Sequence, residues 1–209
     1  MKSIVFGAGS HARAVLAMLK AIGSHDCVGV IDNGQLRPGE CILAVPVIGG
    51  TDSLAALRAE NVSVAYVALG DPVARASAQE KLTSLGYILP PLVHPTAYVD
   101  PSASLGVGVQ ICAMAFVGPE ATLGDGVIVN THASVDHETR VGDFSTISPA
   151  VAIAGRCIIG NGAFLGIGSK VGHGLIIGDH AQLGAGAVAL DDVPPRALAV
   201  GIPARVKAR

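Results

Sequence analysis

Residues 117–152 read VGPEAT, LGDGVI, VNTHAS, VDHETR, VGDFST and ISPAVA, consecutive blocks of six that each open on Val, Leu or Ile. The register runs unbroken from Val93 to Pro194, and every block but the last, which opens on Ala189, begins with one of those residues. The fifth position is nearly as strict. It is small or β-branched in all blocks but that of Leu175, as at Ala115, Ala121, Ala133, Thr139, Ser145 and Cys157. One large and one small apolar residue in six suits a triangular β-coil, the large one filling the prism and the small one tucked at a corner. Gly, Asp and Asn gather at the second to fourth positions, as in Gly124-Asp125-Gly126, Gly142-Asp143 and Gly160-Asn161-Gly162. Corners need positive φ or side-chain-to-backbone hydrogen bonds, which these residues supply. The spacing predicts a β-solenoid of hexapeptide repeats.

Composition agrees with a solenoid. Aromatic residues are 3%, Trp is absent and Gly numbers 27 of 209, so no Trp-centred globular core is expected. The mean hydropathy of +0.55 reflects aliphatic rungs rather than a membrane, because no stretch approaches the ~20 apolar residues of a bilayer span. Met1-Lys2-Ser3 leads into an apolar run too short for a secretory signal, and a cytoplasmic protein is expected. The cysteines, Cys27, Cys41, Cys112 and Cys157, have no close pairing and read as buried free thiols. A net charge of -2 gives no reason to expect nucleic acid.

Residues 1–90 obey another rhythm. Lys2–Phe6, Cys27–Ile31 and Val62–Leu69 read as strands, and Ala12–Ile22, Thr51–Glu60 and Pro72–Leu85 as helices. Alternation of this kind predicts a small Rossmann-like parallel sheet, so the fold class is α/β plus β-solenoid. Pro90-Pro91 is a stiff connector and sets the boundary between domains 1–90 and 91–209.

The loop after the first strand, Gly7-x-Gly9-x-x-Ala12, fits the dinucleotide fingerprint, and Asp32 closes the second strand where a ribose would be held. Some 90 residues make one mononucleotide-binding half, which favours a nucleoside diphosphate over NAD. The plainer reading is a glycine turn that packs helix on strand. In the repeats, His132 is fourth in its block and His137 third in the next, so both are expected to point outward. Asp136 and Glu138 flank His137, a setting that strengthens a histidine as a general base.

A short α/β domain opening with Gly7-Ala8-x-x-His11, then Val93-His94-Pro95-x-Ala97, Asn130-Thr131-x5-His137-Glu138, Phe164-Leu165-Gly166-Ile167 and Val200-Gly201-Ile202-Pro203-Ala204-Arg205, resembles the bacterial sugar O- and N-acetyltransferases. These are left-handed parallel β-helix enzymes that acetylate sialic acid or the 4-amino group of nucleotide-linked amino sugars such as bacillosamine and perosamine precursors. The resemblance implies His137 as general base and Glu138 as the acid that tunes it. It implies an oxyanion contact at Gly155, and Asn130 lining the sugar pocket. Acetyl-CoA as co-substrate, without a metal, would meet Ile167 and Ala185, with Gly166, Gly168, Gly184 and Gly186 letting the pantetheine lie close. Gly9, Ser10 and His11 match the nucleotide-phosphate loop, and Asp32, Asn33 and Gly70 the nucleoside and ribose region. Thr146 stands where some members carry a histidine that contacts the thioester, and Asp32-Asn33 replaces a paired acidic site. The resemblance also implies a homotrimer with sites between subunits, in keeping with outward apolar residues Met114, Phe116, Ile128 and Phe164.

Two further expectations concern chemistry and the tail. Arg205, Lys207 and Arg209 alternate, so an extended tail sets their cations on one side, suited to coenzyme A phosphates. His132 and His137 also carry the H-x4-H spacing of hexapeptide zinc carbonic anhydrases. The third histidine is missing there, since Thr96 stands two coils before His132 and His94 is out of register. N- against O-acetylation and the identity of the nucleotide stay open at this level.

Overall fold

The computed structural model describes residues 1–23, 26–34 and 39–207, so Arg209 of the tail lies outside the described residues. The chain divides into two compact units, Met1–His94 and Pro95–Arg209.

In the first unit, β1 (Lys2–Phe6), α1 (Ser10–Ile22), β2 (Asp26–Ile31), β3 (Cys41–Ile42), β4 (Val45–Gly49), α2 (Leu54–Ala59), β5 (Val64–Val67) and α3 (Pro72–Ser84) follow one another. The sheet order is β3-β4-β2-β1-β5. All pairings are parallel except β3 with β4 at one edge. That hairpin escapes the sequence pattern because its strands are short and its turn is built from Leu43 and Ala44 with positive φ, not from Gly or Asn. Thr51–Ser53, expected to be helical, forms a separate 3-10 turn before α2. α1 ends where Gly23 turns left-handed and its N–H reaches the Leu19 carbonyl. α3 begins at Asp71, whose carboxylate accepts from the Ala74 amide at 2.8 Å, with Pro72 next. Ile4, Ile31, Leu54, Val67 and Leu82 fill the core.

From Tyr98 to Ala189 the second unit is a stack of two-residue strands in three sheets, each ladder stepping by 18 residues. One ladder aligns Val117, Val135, Ile153, Val171 and Ala189, all buried, so the first position of each block faces inward as the pattern predicts. The small fifth positions leave room for internal polar bonds. Ser145 Oγ donates to the Gly160 carbonyl at 2.7 Å, and Thr139 Oγ1 to that of Ala154 at 3.1 Å. At one corner each third-position amide donates to an Asx oxygen one coil on. Val107 pairs with Asp125, Asp125 with Asp143, Asp143 with Asn161 and Asn161 with Asp179, at 2.7–2.9 Å. The preceding glycines are needed because a Cβ on Gly106, Gly142 or Gly160 would strike that Asx residue.

Three expectations change. Fourth positions are left-handed even in bulky residues, with φ between 56° and 60° at Met114, Glu120, His132, Glu138, Phe144, Ala150, Arg156 and His180. Six of these amides reach back to third-position carbonyls of the previous coil, as Glu138 to Pro119 at 2.9 Å, while those of Met114 and Glu120 reach the Thr96 and Ser102 hydroxyls, which offsets part of the strain. Of the cysteines only Cys112 and Cys157 are buried; Cys27 is half-buried and Cys41 exposed, since they start β2 and the edge strand β3. Ile128 is buried, unlike Met114, Phe116 and Phe164, and Gln110 beside it in the ladder is buried too.

Candidate active site

One corner of the prism stacks Pro119, His137, Gly155 and His173 at third positions, with Glu120, Glu138 and Arg156 beside them at fourth positions, each 18 residues from the next. The His137 backbone is fixed twice. Its amide donates to Asp136 Oδ1 at 2.7 Å, and its carbonyl accepts from the Arg156 amide at 2.8 Å. Nδ1 lies 3.0 Å from Glu138 Oε2. A carboxylate only accepts, so the neutral ring carries its proton on Nδ1 and keeps a lone pair on Nε2. The same Oε2 accepts from Arg156 Nε at 2.8 Å. Arg156 first, and His137 second, hold the Glu138 carboxyl below the usual carboxylate range.

The far side of the His137 ring rests on Gly155. A Cβ there would overlap Cε1 and Nε2, so the glycine makes the room in which the imidazole lies. His173 closes the column, its ring centroid 6.2 Å from that of His137. His137 is half-exposed and His173 exposed, so the imidazole is accessible from solvent. Neither Arg156 nor His173 is singled out by the motif. Counting 18 residues from Glu138, and 36 from His137, would have found both.

The positions expected to meet the coenzyme lie elsewhere. Asn130, Ile167, Gly168 and Ala185 occupy the next corner, with the sheet of Ser134, Ala152 and Lys170 between the two corners. Thr146 sits on the outward row of the other sheet meeting that corner. Ile167 is exposed. The corner glycines divide into two kinds. A Cβ on Gly166 would meet the backbone of Leu183 to Ala185, and one on Gly184 would meet Val200, whereas Gly168 and Gly186 have open space. The first pair is therefore required for coil stacking, and the second leaves open space at the corner. Asn130 Oδ1 accepts from the Thr131 amide at 2.8 Å. His132 shares this corner with Asn130, so the two histidines of the H-x4-H spacing stand on different corners.

In the first unit β2 and β5 flank β1 on opposite sides, which places a topological switch point at the carboxyl ends of β1 and β5. Gly9, Asp32, Asn33 and Gly70 lie in loops at that edge, whereas Ser10 and His11, expected in the glycine loop, already form the first turn of α1. Asp32 Oδ1 accepts from the Ala8 amide at 3.2 Å and Oδ2 from Gly34 at 3.2 Å, so this carboxylate braces the glycine loop. Asn33 Oδ1 accepts from the Thr51 amide at 2.8 Å. Gly7, with φ +106°, packs against Leu69 and the Ala68 carbonyl, where a side chain would collide.

The tail folds back as Arg205–Val206, antiparallel to Leu198–Val200. Arg205 Nη1 pairs with Asp191 at 3.2 Å and also donates to the Ala204 carbonyl. Both charged groups are exposed. The cation assigned to coenzyme A phosphates thus already holds a carboxylate.

A family profile described as the PglD N-terminal domain matches residues 2–82, and one described as bacterial transferase hexapeptide (six repeats) matches 156–189. Among solved structures, PerB from Caulobacter crescentus in complex with CoA and GDP-perosamine is 36% identical, with a TM-score of 0.93 over 100% of this chain and 98% of that one. The acetyltransferase domain of PglB from Neisseria gonorrhoeae FA1090, in complex with acetyl coenzyme A, is 35% identical, with a TM-score of 0.93 over 99% of this chain and 98% of that one. WeeI from Acinetobacter baumannii AYE, 18% identical with a TM-score of 0.65 over 99% of this chain and 100% of that one, shares the fold. No curated protein sequence matches the chain significantly. No helix among the described residues is long and apolar enough to cross a membrane.

Proposed function

Because the chain belongs to the hexapeptide-repeat sugar N-acetyltransferases with a PglD-type N-terminal domain, we propose that it transfers the acetyl group of acetyl-CoA to the amino group of a nucleotide-linked amino sugar. The observation that carries the chemistry is the His137–Glu138 contact at 3.0 Å, which leaves Nε2 as an open base. The sugar nitrogen attacks the thioester carbonyl carbon, a C–N bond forms, and Nε2 takes the proton the nitrogen sheds. The tetrahedral oxyanion then collapses, the C–S bond breaks, and the coenzyme thiolate leaves to be protonated. Glu138 holds the ring in the tautomer this needs, and Arg156 holds Glu138. The Gly155 amide is our choice for the oxyanion donor. Since a thioester is already activated, the protein's main contribution is alignment of two bound substrates, worth up to about 7–11 kcal/mol in well-oriented cases.

The nucleotide is assigned to Gly9 and the first residues of α1, Ser10 and His11, with Asp32, Asn33 and Gly70 around the nucleoside. The coenzyme is assigned to the corner of Ile167, Gly168 and Ala185, with Thr146, Asn130 and Arg205 near it. Base and coenzyme corners stand on separate edges of one prism. This supports a homotrimer in which one copy offers His137 and a neighbour the coenzyme corner. The reading sets the reaction in the cytoplasm. Thiol release from acetyl-CoA with GDP- and UDP-linked 4-amino sugars tests it. Release with one of them, and acetylation on nitrogen by mass spectrometry of the product, is expected. No release with any amino-sugar nucleotide would overturn the assignment.

A further inference from the structure

Arg75, in the first turn of α3, is wholly buried and is the largest such side chain among the described residues. A buried guanidinium is costly unless its donors are used. Nη1 donates to the carbonyls of Leu69 at 3.0 Å and Gly70 at 2.8 Å, two of the peptides in the connection from β5 to α3. A trans peptide points its N–H opposite to its C=O. Turning those two carbonyls inward onto the cation therefore aims the Gly70 and Asp71 amides outward. Neither amide has an acceptor among the described residues, and Gly70 has open space where a side chain would stand. This turn borders the switch-point crevice, because Gly7 of the opposite loop packs directly on Leu69 and Ala68.

We infer that Arg75 is a positioning residue for nucleotide recognition, a buried cation that presents the Gly70 and Asp71 amides to a diphosphate oxygen. The inference rests on the nucleotide assignment above and moves Gly70 within it from the nucleoside to the diphosphate. Burial lowers the guanidinium pKa to about 10, with the Asp71 carboxylate opposing that shift, so the side chain stays charged at neutral pH. The cation also leaves a positive field behind the amides, where an anion benefits most. Lys in its place keeps the charge but cannot bridge two carbonyls in one plane.

The test uses the full-length protein and UDP and GDP as probes in titration calorimetry. Arg75→Met should bind the preferred diphosphate about tenfold more weakly, the loss of one charge-assisted contact. Acetyl-CoA affinity, and kcat at saturating sugar nucleotide, should stay unchanged. Arg75→Lys should recover part of the loss. Should either variant fail to fold, amide shifts in the wild type decide. The Gly70 and Asp71 resonances should move with the diphosphate and stay still with the free nucleoside. Wild-type affinity in folded Arg75→Met, or amides unmoved by a diphosphate that binds, would overturn the inference alone. Failure of the wild type to bind either probe would bring down the nucleotide assignment and this inference with it.

Discussion

His137 lies over the Cα of Gly155, one coil further on, and no side chain fits between them. The imidazole is therefore located by an absence of atoms as much as by the carboxylate beside it. Gly155→Ala should push the imidazole off its line while leaving the coil stacked. A misplacement of about 1 Å costs on the order of 100-fold in turnover, so kcat should drop by that factor with little change in the KM for acetyl-CoA. Near wild-type kcat would show that the ring tolerates displacement.

His137→Ala removes the base itself. Turnover should decrease by about two to four orders of magnitude at neutral pH, with circular dichroism unchanged because the side chain projects from a corner. Steady-state assay of thiol release checks this. Unimpaired turnover would assign proton removal to another group.

Arg156→Gln probes the far end of the chain of contacts. Arg156 is the larger cause of the lowered Glu138 pKa, so its loss should return that carboxyl toward its ordinary range. A depressed carboxylate pKa adds stability above the unfolded value and loses it as pH falls through the folded one. The Glu138–Arg156 contact should thus persist to more acid pH in the wild type than the Glu138–His137 contact does in Arg156→Gln. Carbon-13 titration of the Glu138 carboxyl in both proteins decides, and identical midpoints would rule the coupling out.

Arg205 and Asp191 make opposed predictions. If Arg205 binds coenzyme phosphates, it must leave Asp191, and exposed ion pairs of this kind contribute little to stability. Asp191→Asn should then lower the KM for acetyl-CoA, and Arg205→Gln should raise it, both effects shrinking as salt is added. A KM for acetyl-CoA unmoved by either change at low ionic strength removes the tail from the coenzyme site.

The Asx ladder can be tested by its own internal control. Asn161 does in its coil what Asp143 does in the one before. Asp143→Asn should be nearly neutral, whereas Asp143→Ala leaves the Asp125 amide without its acceptor and should cost about 1 kcal/mol in urea unfolding.

The β-helix was legible because its rule is local and repeated. A block opening on Val135 or Ile147 needs only its place in the register to be assigned inward, and both are buried. The His137–Glu138 pair was legible for the same reason, being adjacent in sequence. Arg156 and His173 were not, since their nearness to His137 comes from stacking across one and two coils. The β3–β4 hairpin was hidden by a turn of Leu43 and Ala44, residues whose preferences oppose the conformation they adopt. Ile128 shows the converse limit: its block position gives a direction, and burial depends on what covers that direction. Arg75 carried no signal at all, as an arginine in a helix reads as solvated.

The uninterrupted 18-residue ladder also acts as a ruler. Each third position along the His137 corner is equivalent in backbone, and successive ones differ by one strand spacing, about 4.8 Å. Pro119, Gly155 and His173 are graduations above and below the mark at which His137 stands. Reach toward a longer or shorter acceptor can therefore change by moving a side chain one graduation, with no loop remodelled and no new fold required. Chemistry in such a scaffold is an address along an axis.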